Sequence, residues 1–159
     1  MLEICDFFKF KDMQIRRAMD DDISVLVPLI NEAYSYINET SGGSRTNEIH
    51  LHEKMNESDY YVVVDANKIV GVFYLKKIDN SLSFGMFAIE PAHRGKGLGK
   101  KVVEAIEKFA KSSGMKSLEI DRMSASPWLK EYYENYGFSD TGKIEKWRNI
   151  DLIHMRKII

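Results

Sequence analysis

A turn rich in glycine and positive charge separates two regular stretches of the chain. It comprises Arg94, Gly95, Lys96, Gly97, Leu98, Gly99 and Lys100. A pattern typical of a β-strand precedes it, and an amphipathic pattern typical of a helix follows it. The N-terminus of a helix presents unpaired N–H groups and partial positive charge, so a phosphate bound there gains several hydrogen bonds. The turn therefore indicates a site for a pyrophosphate or a 3′-phosphate. An ordinary loop with solvated charges is the alternative.

The spacing of the glycines does not fit two other phosphate motifs. A Walker A loop needs Ser or Thr after its Gly-Lys pair, whereas Lys101 follows Lys100 and no glycine stands five positions before Gly99. The dinucleotide fingerprint needs G-x-G-x-x-G in a βαβ unit, whereas this turn reads G-x-G-x-G after several predicted strands. We therefore expect neither a P-loop nor a Rossmann site.

A second motif lies in an aromatic segment further along, where residues 132–138 read Tyr-Tyr-Glu-Asn-Tyr-Gly-Phe. With Arg94, Gly97 and Gly99, this segment resembles the GNAT acetyltransferase superfamily. The coenzyme A motif of that superfamily is Arg or Gln, two residues, Gly, one residue, then Gly or Ala. Its later signature is Tyr-x-x-x-Gly-Phe, which Tyr133 and Gly137-Phe138 match. The resemblance covers nearly the whole chain beyond the first dozen residues.

The resemblance implies a fold and a coenzyme site. In this superfamily the fourth and fifth strands of the sheet splay apart, and the pantetheine arm of acetyl-CoA enters the gap and pairs with the fourth strand. Phe87, Ala88 and Ile89 would bind pantetheine through their main chain, and one N–H there would stabilise the oxyanion of the thioester carbonyl. Residues 94–100 would hold the pyrophosphate. Ser126 is a further candidate contact, although a cap for the helix that follows Pro127 is the alternative.

The implied chemistry is transfer of an acetyl group to an amine, which makes two proton demands. Tyr133 matches the superfamily tyrosine and is the candidate acid for the departing thiolate, whereas a packing role on an aromatic helix is the alternative. Glu119 and Asp121 alternate along one predicted strand and so share a face that could hold a base. Structural charges are the alternative for both. The fourth-strand Glu of some relatives has its equivalent here near Ser83, which cannot act as a base.

The acceptor amine has fewer candidate contacts in the sequence. Arg45 lies in a loop between the first two predicted helices, where relatives commonly shape the acceptor pocket, and it could pair with a substrate carboxylate. An exposed loop arginine is the alternative. Tyr34, on the apolar face of the first predicted helix, is the other candidate contact. A small-molecule amine, a peptide N-terminus and a lysine all remain open as acceptors.

The predicted elements place these residues in one mixed α/β domain spanning residues 1–159, with an N-terminal extension over residues 1–11. We expect about six to seven strands in a mixed sheet, flanked by about four helices. Strands are predicted over residues 13–18, 60–65, 68–77, 82–89 and 117–122, followed by two more at the C-terminus. Helices are predicted over about 23–37, 47–55, 98–112 and 127–136.

The composition excludes several classes of protein. Lys and Arg number 23 against 24 Asp and Glu, so we expect neither a nucleic-acid-binding nor a membrane-binding surface. The single cysteine rules out an intrachain disulfide and a zinc site built on several thiolates, and we expect no metal. Without a leader or an apolar span, a cytoplasmic monomer or homodimer is expected. A non-catalytic acyl-CoA-binding module is the alternative to an acetyltransferase.

Overall fold

The computed structural model describes residues 2–159, and its central feature is one seven-stranded sheet. The strands are β1 (Gln14–Arg17), β2 (Asp59–Asp65), β3 (Lys68–Ile78), β4 (Ser81–Ile89), β5 (Ser117–Met123), β6 (Ser139–Trp147) and β7 (Ile150–Ile158). Their order across the sheet is β1-β2-β3-β4-β5-β7-β6. The β4–β5 pair is parallel and the other pairs are antiparallel. The mixed α/β fold predicted from the sequence is confirmed.

Within the described residues, five helices flank the sheet. They are α1 (Ile23–Ala33), α2 (Asn38–Ser41), α3 (Glu48–Glu57), α4 (Leu98–Ser112) and α5 (Trp128–Glu134). The first predicted helix is shorter than expected, because α1 ends at Ala33 and a 3₁₀ turn over Ser35–Ile37 follows. Among the residues that the structure describes, no helix is both long enough and apolar enough to cross a membrane.

The helices cover both faces of the sheet. On one face, α4 inserts its apolar stripe, including Val102 and Ile106, which are fully buried. On the other face, α1 and α3 pack through Leu26, Ile30 and Leu51. Burial of each such aliphatic side chain stabilises the fold by about 1.5–3 kcal/mol. The packing on the two faces fixes α1 and α4 relative to the strand that runs between them, β4.

The pairing of β4 with β5 is short. It covers Ser81 with Ser117, Leu82 with Leu118 and Ser83 with Glu119, and the remaining six residues of β4 have no partner on β5. Strand β5 instead pairs with β7 along its whole length. The two parallel strands therefore diverge after Ser83, which confirms the splayed arrangement that the resemblance implies.

A bulge in β4 changes which side chains face each layer. Tyr74 lies opposite Gly85 and Val72 opposite Ala88, so two residues of β4 face one residue of β3. Met86, at the bulge, has φ of 49°. Before the bulge, even-numbered residues face α4, and after it Met86 and Ala88 face α1 instead. The bulge thereby turns Phe87 toward the layer of α4.

Candidate active site

A cleft of about 320 Å³ opens where β4 leaves β5. Its walls come from the end of α1, from β4, from the glycine turn and from α4 and α5. The lining residues are Ala33, Tyr34, Tyr36, Phe87, Ala88, Ile89, Arg94, Val103, Trp128, Leu129, Tyr132 and Tyr133. A larger depression of about 650 Å³, lined by Asp20, Glu48 and their neighbours, contains no residue of either motif. The cleft is therefore the candidate active site.

The three glycines of the turn are favoured at their positions for different structural reasons. Gly95 and Gly97 adopt φ of 71° and 87°, in the left-handed region that favours glycine, and a Cβ at either position would meet nothing within 4 Å. Open space therefore lies in front of both. Gly99 differs, since a Cβ there would lie 3.3 Å from the Tyr132 hydroxyl oxygen and 3.5 Å from Ile89. Gly99 allows α4 to approach α5 and β4 closely.

The N-terminus of α4 has the groups that an anion needs. Its first backbone hydrogen bond runs from the Lys101 N–H to the Gly97 carbonyl at 3.1 Å. Within residues 2–159, the N–H groups of Leu98, Gly99 and Lys100 have no hydrogen-bond acceptor. The side chains of Lys96 and Lys100 are exposed beside them. These residues fit a pyrophosphate without rearrangement of the backbone.

The Arg94 side chain is held by two groups of the protein. Its Nε donates to the Ile89 carbonyl at 2.8 Å, and its terminal nitrogens pair with the carboxylate of Glu32 on α1. The guanidinium therefore links the end of β4 to α1 at the cleft, which Arg94 helps to line. The sequence motif did not reveal the Glu32 carboxylate, and the contact of Arg94 with a coenzyme phosphate stays a prediction.

The main-chain N–H and C=O groups of β4 point alternately toward β3 and into the cleft. The Glu90 N–H donates to the Val70 carbonyl at 2.8 Å, and Ala88 lies two residues earlier in the same ladder, so both direct their main-chain groups toward β3. Phe87 and Ile89 direct theirs into the cleft. Of the three positions expected to bind pantetheine, Phe87 and Ile89 therefore direct main-chain groups away from β3, and the Ile89 carbonyl already accepts from Arg94.

Two tyrosines reach the cleft from opposite walls. Tyr133, on α5, packs edge-on against Tyr132 and Phe138, with ring centroids 5.1 and 5.7 Å apart. Its hydroxyl makes no hydrogen bond to any residue that the structure describes, and burial raises the pKa of Tyr133 well above its usual range. Tyr34, at the end of α1, places its hydroxyl against the Phe87 N–H. Burial outweighs this contact and raises the pKa of Tyr34 to about 12.

The carboxylates of β5 lie on one face, as predicted, but in different surroundings. Glu119 accepts from Arg156 at 3.0 Å and lies 3.2 Å from the His154 ring nitrogen. Burial alone would raise the pKa of Glu119, but these hydrogen bonds outweigh burial and lower it. Asp121 makes no ion pair within the described part of the chain, and desolvation raises its pKa although much of the residue remains exposed. Of these two carboxylates, Asp121 is the one without a hydrogen-bond or ion-pair partner among residues 2–159.

The remaining predicted contacts have unexpected environments. Arg45 is half-buried, with its guanidinium carbon 4.5 Å from the centre of the Trp147 ring and 5.7 Å from that of Tyr34. Ser126 is fully buried, and its hydroxyl neither caps α5 nor meets another partner among residues 2–159. The capping interpretation of Ser126 is therefore wrong, and its contact with a coenzyme stays a prediction.

Sequence reasoning did not identify three other residues around the cleft. Trp147 reaches Arg45 from the end of β6, and no local pattern indicated this contact. Tyr36 and Trp128 stack edge to face at the rim with ring centroids 5.4 Å apart, and both are exposed. An exposed aromatic pair is a possible signal of a binding surface, but each residue alone resembles a packing position.

The chain belongs to the GNAT acetyltransferase family, because the family description "Acetyltransferase (GNAT) domain" matches residues 30–159. Solved structures show the same fold. The ribosomal-protein-S18-alanine N-acetyltransferase from Escherichia coli superposes with a TM-score of 0.74 at 15% identity, over 92% of this chain and 94% of that one. The spermidine N-acetyltransferase from Vibrio cholerae, in complex with CoA and spermine, gives 0.71 at 19% identity, over 94% and 96%. An N-acetyltransferase from Staphylococcus aureus Mu50 gives 0.67 at 17%, over 93% and 99%.

Proposed function

We propose that this protein transfers the acetyl group of acetyl-CoA to a primary amine by direct attack within a ternary complex. The observation that carries the proposal is the position of the cleft. It begins where β4 parts from β5, and two of its lining residues, Ile89 and Tyr132, lie against Gly99 at the N-terminus of α4, where three N–H groups are free. A long, thin molecule with a phosphate end and an acyl end matches that path.

The coenzyme would be held by main-chain groups along this path. Leu98, Gly99 and Lys100 would donate N–H groups to the pyrophosphate, and the Lys96 and Lys100 side chains would add charge. The pantetheine arm would pair with Phe87 and Ile89 in the manner of an added strand. Because Arg94 already donates to the Ile89 carbonyl, the arm would displace that hydrogen bond while the Glu32 ion pair persists.

The proposed transfer is a nucleophilic acyl substitution at the thioester. The amine nitrogen attacks the thioester carbonyl carbon, the C–N bond forms, the C–S bond breaks and the sulfur leaves with the bonding electrons. The Phe87 N–H would exchange its contact with the Tyr34 hydroxyl for the carbonyl oxygen and stabilise the negative charge that develops there. Tyr133, whose hydroxyl has no other partner, would donate a hydrogen bond or its proton to the sulfur. The high pKa of Tyr133 favours stabilisation by a hydrogen bond.

Asp121 is the residue that we assign to the proton released by the amine. Glu119 is occupied by Arg156 and His154, whereas Asp121 lies beyond the last β4–β5 pair, where the strands have separated. Its raised pKa makes the carboxylate a stronger base than an aspartate that is surrounded by water on all sides. A water molecule would link Asp121 to the amine.

The test is release of free thiol from acetyl-CoA in the presence of a panel of primary amines. We expect turnover with at least one amine and a fall in kcat of roughly 100-fold for Tyr133→Phe. Tyr136→Phe is the matched control, since Tyr136 lies one position before Gly137 on the same segment and does not line the cleft. Tight binding of acetyl-CoA without thiol release from any amine would favour the non-catalytic acyl-CoA-binding module instead.

A further inference from the structure

Arg45 carries a charge that the protein does not neutralise. Within the described chain no carboxylate lies within ion-pair distance of its guanidinium, and its buried Nε has no hydrogen-bond partner. Its planar group lies between the rings of Tyr34 and Trp147. Burial lowers the pKa of Arg45, which is the expected effect of desolvation on a cation. A partly buried charge without a partner is costly and indicates a missing anion.

Arg148 provides a contrast on the same tryptophan. Its guanidinium carbon lies 4.4 Å from the Trp147 ring centre, as close as that of Arg45. Its terminal nitrogens donate to the carbonyls of Ser44 at 3.0 Å and Gly43 at 3.3 Å. Arg148 therefore holds the loop in place. Among the described residues, the N–H groups of Arg45 donate no such hydrogen bond to the loop.

The backbone on either side of Arg45 is fixed. Arg148 donates to the carbonyls of the two residues that precede Arg45. After Arg45, Asn31 of α1 accepts from the Thr46 N–H at 2.9 Å and donates to the Thr46 carbonyl at 3.0 Å. The loop therefore holds Arg45 in position before any ligand arrives. Such preorganisation reduces the entropy lost on binding.

The position of Arg45 relates it to the reaction. Tyr34 contacts Arg45 on one side and places its hydroxyl against the Phe87 N–H on the other. Met123, two residues beyond Asp121 on the same face of β5, packs in one cluster with Tyr34 and Trp147. The unpaired cation and the unpaired carboxylate thus lie on the same side of the sheet, and Arg45 contacts Tyr34, which lines the cleft.

We propose that the acceptor is a primary amine that also carries a carboxylate, and that Arg45 binds this carboxylate. The inference rests on the proposed function and narrows its substrate class. A guanidinium can donate two parallel hydrogen bonds to a carboxylate, so it fixes the orientation of the amine as well as its affinity. A polyamine would instead bring positive charge toward Arg45 and Arg148 and is disfavoured.

The experiment compares matched acceptors that differ only at the carboxyl group. Amino acids and dipeptides, each with its C-terminal amide, are assayed for thiol release from acetyl-CoA, with spermidine as the polyamine. We expect at least one acid to exceed its amide in kcat/KM by roughly 10- to 100-fold. The amine of an amide loses its proton more readily than that of the acid, so the intrinsic bias runs against this result.

Variants at Arg45 separate recognition from structure. Arg45→Gln should bring the acid-to-amide ratio close to one, and Arg45→Lys should retain part of the preference because it keeps the charge but not the planar fork. A merely structural arginine would lower kcat/KM for both members of each pair equally. Arg17→Gln is the control, since Arg17 is an exposed arginine on β1 that pairs with Asp59 and does not contact the Arg45 loop, and it should leave the ratio unchanged.

The outcomes distinguish this inference from the proposed function. If amides or spermidine are acetylated as well as the acids, or if Arg45→Gln leaves the ratio unchanged, the assignment of Arg45 is overturned while the acetyltransferase stands. If acetyl-CoA binds by calorimetry and no amine of any kind releases thiol, both proposals fail.

Discussion

At the scale of single residues, the environment of a side chain decides its task more than its type does. Glu119 and Asp121 share one face of β5, yet hydrogen bonds from Arg156 and His154 occupy the first and leave the second without a partner. The same contrast separates Arg45 from Arg148, which stack on one tryptophan. In each pair, the group without a partner is the candidate for binding or chemistry.

Replacement of Asp121 tests its role as the base. A carboxylate accepts a proton only when ionised, so kcat/KM should fall as the pH drops through the pKa of Asp121. Desolvation raises that pKa above its ordinary value of 3.8. The fall in kcat/KM should therefore begin at a higher pH than for an aspartate that is surrounded by water on all sides. Asp121→Asn should lower kcat/KM by roughly 100-fold and remove this acid limb from the pH profile.

Glu145→Gln is the control for the Asp121 variant, since Glu145 is an exposed neighbouring carboxylate on β6 that pairs with Lys143. It should keep the acid limb. An Asp121→Asn enzyme with an unchanged pH profile would show that the amine arrives neutral and needs no base from β5.

The sequence predicted some site residues better than others. Tyr133 and the glycine turn belong to short motifs, so both could be identified as candidates from the sequence alone. Arg45 was visible only as a loop arginine, because the Trp147 ring that covers it lies about a hundred positions later in the chain. The partner of Arg94 was hidden for the same reason, since Glu32 belongs to α1. Contacts between distant segments leave no local pattern.

At the scale of elements, β4 is the strand that shapes the site. Its bulge sends Phe87 toward the cleft, and its early separation from β5 opens the space. The alternation of apolar residues predicted the strand but not the bulge, because one extra residue reverses the faces without changing the composition. The predicted first helix ran too far for a related reason. Periodicity continued to Ile37, whereas the chain leaves the α-helix after Ala33.

Gly85→Ala tests how tightly β3 and β4 approach before the bulge. A Cβ at Gly85 would lie 2.9 Å from the ring of Tyr74, which is itself packed against Tyr60 at 5.6 Å between ring centroids. We expect the free energy of unfolding to fall by about 1–3 kcal/mol, as measured by urea denaturation. In a Tyr74→Leu background the same substitution should cost less, because the clash is removed. If Gly85→Ala lowered the free energy of unfolding equally in both backgrounds, the result would contradict a clash between Gly85 and Tyr74.

At the scale of the whole molecule, the N-terminal segment is part of the core. Ile4 and Phe8 are 1% and 6% exposed and belong to the same apolar cluster as α4, and Phe7 lies against Phe109. The sequence was interpreted as an extension over residues 1–11, although Ile4, Phe7 and Phe8 are apolar. We propose that residues 2–159 unfold as one cooperative domain.

Phe8→Ala tests this proposal. Loss of the buried ring should lower the free energy of unfolding by about 3 kcal/mol, and the whole transition should shift as a unit when followed by circular dichroism and by tryptophan fluorescence. Leu2→Ala is the control because Leu2 is 55% exposed, and it should change stability by less than about 0.5 kcal/mol. Separate transitions for the two signals would show that the N-terminal segment folds independently.

The most direct test of the central claim is the affinity for coenzyme A, measured by calorimetry, in two variants of α4. Gly97→Glu places a carboxylate at the N-terminus of the helix, and Gly114→Glu places one just beyond its other end. Both glycines have positive φ, of 87° and 77°, and open space in front, so the two variants share the same backbone strain. We predict that Gly97→Glu weakens binding by at least about 100-fold and that Gly114→Glu does not. Equal affinity in both variants would contradict the assignment of the phosphate site.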